Sequence, residues 1–270
     1  MVELLSVGFV QSALIAAAIL GIVSGVIAPL VVMRSMSFTV HATSELALMG
    51  ASAALLLGVS VGGGAIVGSV LAAAVLGVMS RRGDDAAVGV LLSFGLGLSV
   101  LFIHLYPGRT STAFALLTGQ IVGLTSASVK VLAAVAIVVV LTVAVFWRPL
   151  LFASADPQLA AATGVPVKTM SALFAVLAGL TAAQGVQIVG ALLITALLIT
   201  PGAAAVQVTA SPLRAMVLSV VFAELAAVGG VLLSLAPGMP VSVFVTGISF
   251  FIYVVCRVIN TVQGRRLTRS

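Results

Sequence analysis

Ser37, His41, Ser44 and Glu45 recur at three- and four-residue intervals, so a helix would carry them on one face. His41 offers a ring nitrogen and Glu45 a carboxylate one turn away, with hydroxyls beside them. Two chemistries suit such a set. A helical His-x-x-x-Glu pair presents two ligands to a divalent cation. The same groups also serve as a proton relay or as a polar network between helices, because ionisable groups inside a membrane usually mark a route for an ion or a substrate. One pair supplies too few ligands to complete a metal site, so water, other helices or a second subunit would have to provide the rest.

The surroundings of this string are lipid-like. The chain is 62% hydrophobic and 7% charged, with a mean hydropathy of +1.36, whereas about a quarter of a soluble domain is charged. A bilayer core roughly 30 Å thick asks for about 20 apolar residues per spanning helix. Apolar runs occupy about 8–33, 39–59, 62–80, 86–106, 128–147, 169–186, 187–207, 213–235 and 241–258. The expected fold is an all-α polytopic membrane protein with about 8–9 transmembrane helices, in a single transmembrane domain over 1–270.

The net charge of +6 does not point to nucleic acid. The basic residues sit between apolar runs, as the positive-inside rule describes. An outside N-terminus puts Arg34, Arg81, Arg82, Arg148, Lys168, Arg214, Arg257, Arg265, Arg266 and Arg269 inside, leaving Arg109 and Lys130 outside. That orientation holds if the Thr/Ser-rich segment 110–125 is a re-entrant or interfacial helix. Glu3 in place of a basic n-region, and an apolar run longer than a leader needs, argue against a cleaved signal peptide. The single Cys256 excludes an intrachain disulfide and a Cys-based zinc cluster.

Three further features bear on function. In Ser154–Val165, Asp156 suits an N-cap, Pro157 the first helical position and Gly164 a helix stop. This bracketed short helix reads equally as a plain connector or as a docking element for a cytoplasmic partner. In Gln184–Pro201, the polar Gln184, Gln187, Thr195 and Thr200 lie at membrane depth, and Pro201 is expected to break the helix, either as a kink whose freed groups neighbouring helices satisfy or, the favoured reading, where the segment lines a pathway. Glu224 falls mid-span, as a hydrogen-bonded structural group or as part of the route. The pairs Gly21/Gly25, Gly64/Gly68 and Gly119/Gly123 suit close helix packing. No P-loop string occurs and no nucleophile–base set stands out. The residues describe a polytopic transporter or channel-like protein, not an enzyme, without an ATPase of its own.

The chain resembles the membrane permease subunits of bacterial ABC importers for manganese, zinc or iron, the ABC-3 family. Arg34–Gly50 is similar to the family's Arg-x-Met-Ser turn and following helix, Asp84–Phe102 to its acidic-then-Gly/Ser helix, and Ala115–Leu124 to a Leu-Phe-Gly-x-Ile-Leu-type stretch. Gln184–Ala205 is close to the family's Gln-x-Val-Gly…Pro-Ala-Ala run, and Pro237–Pro240 resembles its turn before the last helix. Asp156, Ala160 and Gly164 fall where the family's cytoplasmic coupling helix has Asp, Ala and Gly. Many members carry Asp at the position of His41 and His at that of Glu45; here the types differ but the i, i+4 geometry remains.

The resemblance implies a cobalamin-permease-like importer fold and a homodimeric translocation path. It also implies two separate cytoplasmic ATPase subunits, an extracytoplasmic metal-binding protein and a bacterial inner-membrane location. No cofactor is expected to be bound permanently. His41 and Glu45 would hold the transported Mn²⁺ or Zn²⁺ briefly, with Ser37, Ser44, Gln184, Gln187 and Glu224 on the path. Asp156, Pro157, Ala160 and Gly164 would form the coupling helix at about 154–165. The rival readings are a permease for an iron chelate or cobalamin, and a proton-coupled secondary transporter using Glu45 and Glu224.

Overall fold

In a lipid-like medium every backbone N–H and C=O must be satisfied within its own segment, and a helix does this. The computed structural model describes residues 8–79, 85–109, 116–117, 125–188, 190–235 and 239–267. These form α1 (Gly8–Met33), α2 (Ser37–Leu56), α3 (Val61–Met79), α4 (Asp85–Leu105), α5 (Ser126–Val145), α6 (Trp147–Ala155), α7 (Pro157–Ala162), α8 (Val167–Ile188), α9 (Ala191–Val208), α10 (Pro212–Ser234) and α11 (Val241–Leu267). Among the described residues the apolar runs are largely helical, and the short α6 and α7 lie between the fifth run and the sixth.

Burial sorts the helices into layers. In its most apolar stretch α1 is 72% buried, against 22% for each of α4, α5 and α11. α1 packs on α9 and α10 and also meets α5, while α2 packs on α3, α4 and α8. The outer helices turn Phe94, Val138, Phe250 and Phe251 outward. In a bilayer such side chains face acyl chains and need no protein partner.

The expected 8–9 spanning helices are corrected by the structure. Among the described residues, six helices are long and apolar enough to cross a membrane: those over Val10–Met33, Ala86–Leu105, Ser126–Val145, Val167–Val186, Pro212–Ser234 and Val241–Val262. The described apolar parts of α3 and α9, Val61–Leu76 and Ile194–Val208, are shorter. α2 has the length but carries Thr39, His41, Thr43, Ser44 and Glu45 in its first half. An apolar run identifies a helix that escapes water. Neighbouring protein provides that escape as well as lipid does, so runs overcount spans.

Pro201 is a second correction. α9 continues through it to Val208, and the helical run is divided earlier, with α8 ending at Ile188 and α9 beginning at Ala191. A proline inside a membrane helix is tolerated where neighbours re-satisfy the freed backbone groups. Here Gly202 lies directly against Ala28 and Pro29 of α1.

The re-entrant helix expected at 110–125 lies outside the described residues, apart from the helical Leu116 and Leu117 and the α5 cap Thr125. Arg81, Arg82 and Arg269, the side chains of Arg265 and Arg266, the pair Gly119/Gly123, and Pro237 and Gly238 of Pro237–Pro240 lie outside them as well.

Candidate functional site

α2 is enclosed rather than lipid-facing. Ala42 to Leu48 are buried without interruption, which a helix achieves only with neighbours on all sides. Glycines on three helices permit the approach. Gly68 of α3 lies against the Leu46 carbonyl, a Cβ on Gly95 of α4 would meet Leu46 Cδ2 at 3.0 Å, and one on Gly179 of α8 would meet Thr43 Cγ2 at 3.4 Å. Close packing from three helices therefore surrounds the turn that bears Glu45.

Glu45 is 2% exposed. Its Oε2 and the Nδ1 of His41 are buried without a hydrogen-bond partner. Ser44 Oγ donates to the His41 carbonyl at 2.7 Å, which turns that hydroxyl hydrogen back to its own helix. Ser37, half-buried, is the first residue of α2. Buried polar atoms normally find partners. One carboxylate oxygen and one imidazole nitrogen left over on adjacent turns are donor atoms suited to a cation that has shed water. Among the described residues no cluster of three or more His, Cys, Asp or Glu occurs.

Gln184 lies on α8, a helix packed on α2; it is buried and its Nε2 has no partner. Gln187 lies in the last turn of α8, with its side chain outside the described residues. Glu224 is placed elsewhere, at the contact of α10 with α1. A Cβ on Gly21 would lie 2.7 Å from its Oε1, and that oxygen has no partner. Ser24 of α1 and Ser219 of α10 are buried with unpartnered hydroxyls too. Sequence reasoning missed both, since a serine among small residues of an apolar run carries little signal; the Gly21/Gly25 stripe beside Ser24 was the available hint.

The short α7 is defined by its ends. Asp156 Oδ1 accepts from the Gln158 and Leu159 amides at 3.0 and 2.9 Å, and Pro157 is the first helical residue. At the other end Gly164 takes φ +86. Its amide donates to the Ala161 carbonyl at 3.1 Å and that of Val165 to Ala160 at 3.0 Å, the pattern of a left-handed helix stop. Ala160 is buried, whereas Gln158, Leu159, Ala161 and Ala162 are exposed.

Comparison with known proteins places this arrangement. Residues 6–260 match the ABC 3 transport family. The chain belongs to that family. The permease is 32% identical to the manganese transport system membrane protein MntC of Halalkalibacterium halodurans, over 86% of this chain and 80% of that protein. It is also 32% identical to the manganese import system permease protein ScaB of Streptococcus parasanguinis, over 90% of this chain and 89% of the relative. The solved structure of PsaBC from Streptococcus pneumoniae in complex with Fab superposes with a TM-score of 0.85 at 29% identity, covering 94% of this chain and 92% of that one. The permease is thus a transport subunit rather than an enzyme, a multi-pass protein of the bacterial inner membrane, and its family is that of ABC transporter assemblies.

One residue of the permease has a role that its sequence position conceals. Arg34, read above as a positive-inside charge and as the start of a family-like turn, reaches from the α1–α2 turn into the bundle. Its Nε donates to Ser154 Oγ at 2.7 Å, Nη1 to Ser171 Oγ at 3.3 Å and Nη2 to the Leu150 carbonyl at 3.3 Å. The guanidinium carbon lies 4.7 Å from the centroid of the Phe174 ring. Burial lowers its pKa to about 10, so it is still charged at neutral pH.

Proposed function

We propose that this chain is the permease subunit of an ATP-driven importer of divalent metal, Mn²⁺ or Zn²⁺. The observation that carries the reading is the pair of unpartnered buried atoms on α2, His41 Nδ1 and Glu45 Oε2, in a chain of the ABC 3 family. A metal ion entering the bundle needs oxygens and nitrogens in place of its water. A partial set holds the ion without trapping it. Nitrogen and carboxylate oxygen together suit Mn²⁺, Zn²⁺ and Fe²⁺, and relatives named as manganese transport proteins support the first of these.

In this reading the whole chain is one permease domain, and two copies form the path. Two ATPase subunits bind the exposed face of α7, where Asp156, Pro157, Ala160 and Gly164 set the helix that docks. An extracytoplasmic metal-binding protein delivers the ion. Ser37 and Ser44 lie within a turn of the pair on α2, and Gln184 extends the path on α8, which packs on α2. Gln187 and Glu224 extend the route, Glu224 from the α1–α10 contact.

The test is uptake by the permease reconstituted with its ATPase in sealed vesicles. ATP-dependent accumulation of Mn²⁺ or Zn²⁺ is expected, with no response to an imposed proton gradient alone. Accumulation of an iron chelate or cobalamin in place of the free ion, or uptake without ATP, would overturn the reading.

A further inference from the structure

We infer that Arg34 is a positioning residue: its guanidinium, held by Leu150, Ser154, Ser171 and Phe174, transmits movement of α6 and α7 to the first turn of α2. What that movement achieves rests on the permease reading above; the link itself rests on contacts within this chain. On one side the guanidinium grips α6 through the Leu150 carbonyl and the Ser154 hydroxyl, and Ser154 precedes the α7 cap Asp156 by two residues. Ser154 Oγ also donates to the Leu150 carbonyl, which closes a ring of three hydrogen-bonded groups. Ser171 and the fully buried Phe174 belong to α8.

On the other side the backbone of Arg34 has little slack. The Arg34 amide donates to Leu30 O at 3.1 Å, Ser35 to Val32 O at 3.0 Å, Met36 to Val31 O at 3.0 Å, and Val40 to Met36 O at 2.9 Å. Ser35 holds φ +55, a left-handed conformation that glycine normally occupies. Continuous hydrogen bonding thus runs from the end of α1 into α2, whose second turn carries His41. A shift of α6 therefore moves the guanidinium, and the guanidinium moves α2. A planar fork engages three acceptors and a ring face together; the ammonium of lysine, a compact point charge, does not.

The test uses the full chain assembled with its ATPase, in a Cys256→Ser background with Phe38→Cys as reporter. Phe38 is exposed on the first turn of α2. Thiol labelling is compared between the nucleotide-free state and a state trapped with ATP and vanadate. With Arg34 present, the rate should differ by about fivefold or more between states, and in Arg34→Lys and Arg34→Met by less than about twofold, because neither rebuilds the fork.

In vesicles the same variants should move about tenfold less metal per ATP hydrolysed, with assembly and basal hydrolysis retained. A nucleotide response in the variants equal to that of the parent, or no response in the parent, overturns the link. If the Arg34 variants do not assemble, the double variant Ser154→Ala/Phe174→Leu takes their place, and a parental response in it overturns the link equally. A parent that responds to nucleotide but moves neither Mn²⁺ nor Zn²⁺ refutes the metal reading and leaves the link standing.

Discussion

A carboxylate enclosed by helices has exchanged its water for whatever the fold supplies, and for Glu45 the fold supplies no partner to Oε2. If that oxygen exists for a passing cation, removing its charge should damage transport and spare the bundle. Glu45→Gln keeps the size and removes the charge, while His41→Ala removes the nitrogen. Each should lower metal uptake about tenfold or more, the scale of losing one charge-assisted contact, with membrane insertion and ATPase binding retained. A purely structural pair predicts lost expression instead, and normal uptake by a well-expressed double variant would move the route to other residues, Glu224 first. This pair is legible in sequence because ionisable residues are so scarce among its neighbours. The role of Arg34 is not, because Ser154 and Ser171, 120 and 137 residues away, carry no mark of their partner.

At the scale of elements, α7 is written in local chemistry and α2 in tertiary packing. An N-cap, a proline and a glycine bracket six helical residues, and each acts on groups only a few positions away, so the sequence shows this helix directly. Its ends can be tested separately. Asp156→Ala removes the cap and should cost about 1 kcal/mol of local helix stability. Nothing lies within 4 Å of a Cβ built on Gly164, so the penalty of Gly164→Val is conformational, about 1–2 kcal/mol for a left-handed L-residue. Gly164→Asn should be milder, since asparagine visits that region. Transport-driven ATP hydrolysis should fall in the order Gly164→Val, then Asp156→Ala, then Gly164→Asn, and equal activity in all three would make α7 a plain connector. The expected break at Pro201 failed for the opposite reason: whether a proline ends a membrane helix depends on its neighbours, here Ala28 and Pro29 of α1.

For the whole molecule, hydropathy finds helices better than it finds crossings. The polar residues in the first half of α2 lower its hydropathy, but nothing in that run shows that α3, α4 and α8 enclose it. Charge adds a second, independent constraint, because Lys and Arg accumulate on the cytoplasmic side. With Arg34, Arg148 and Lys168 inside, α7 is expected to face the cytoplasm and the start of α5 to face out. In a Cys256→Ser background, Ala127→Cys and Ala161→Cys report these two positions. Ala127 is exposed in the first turn of α5 and Ala161 is exposed on α7. A membrane-impermeant maleimide added to intact cells should label Ala127→Cys at once and Ala161→Cys only after permeabilisation. Labelling of Ala161→Cys from outside would reverse the orientation. It would also place α7 where no cytoplasmic ATPase could reach it, so the docking assignment would fall with the topology.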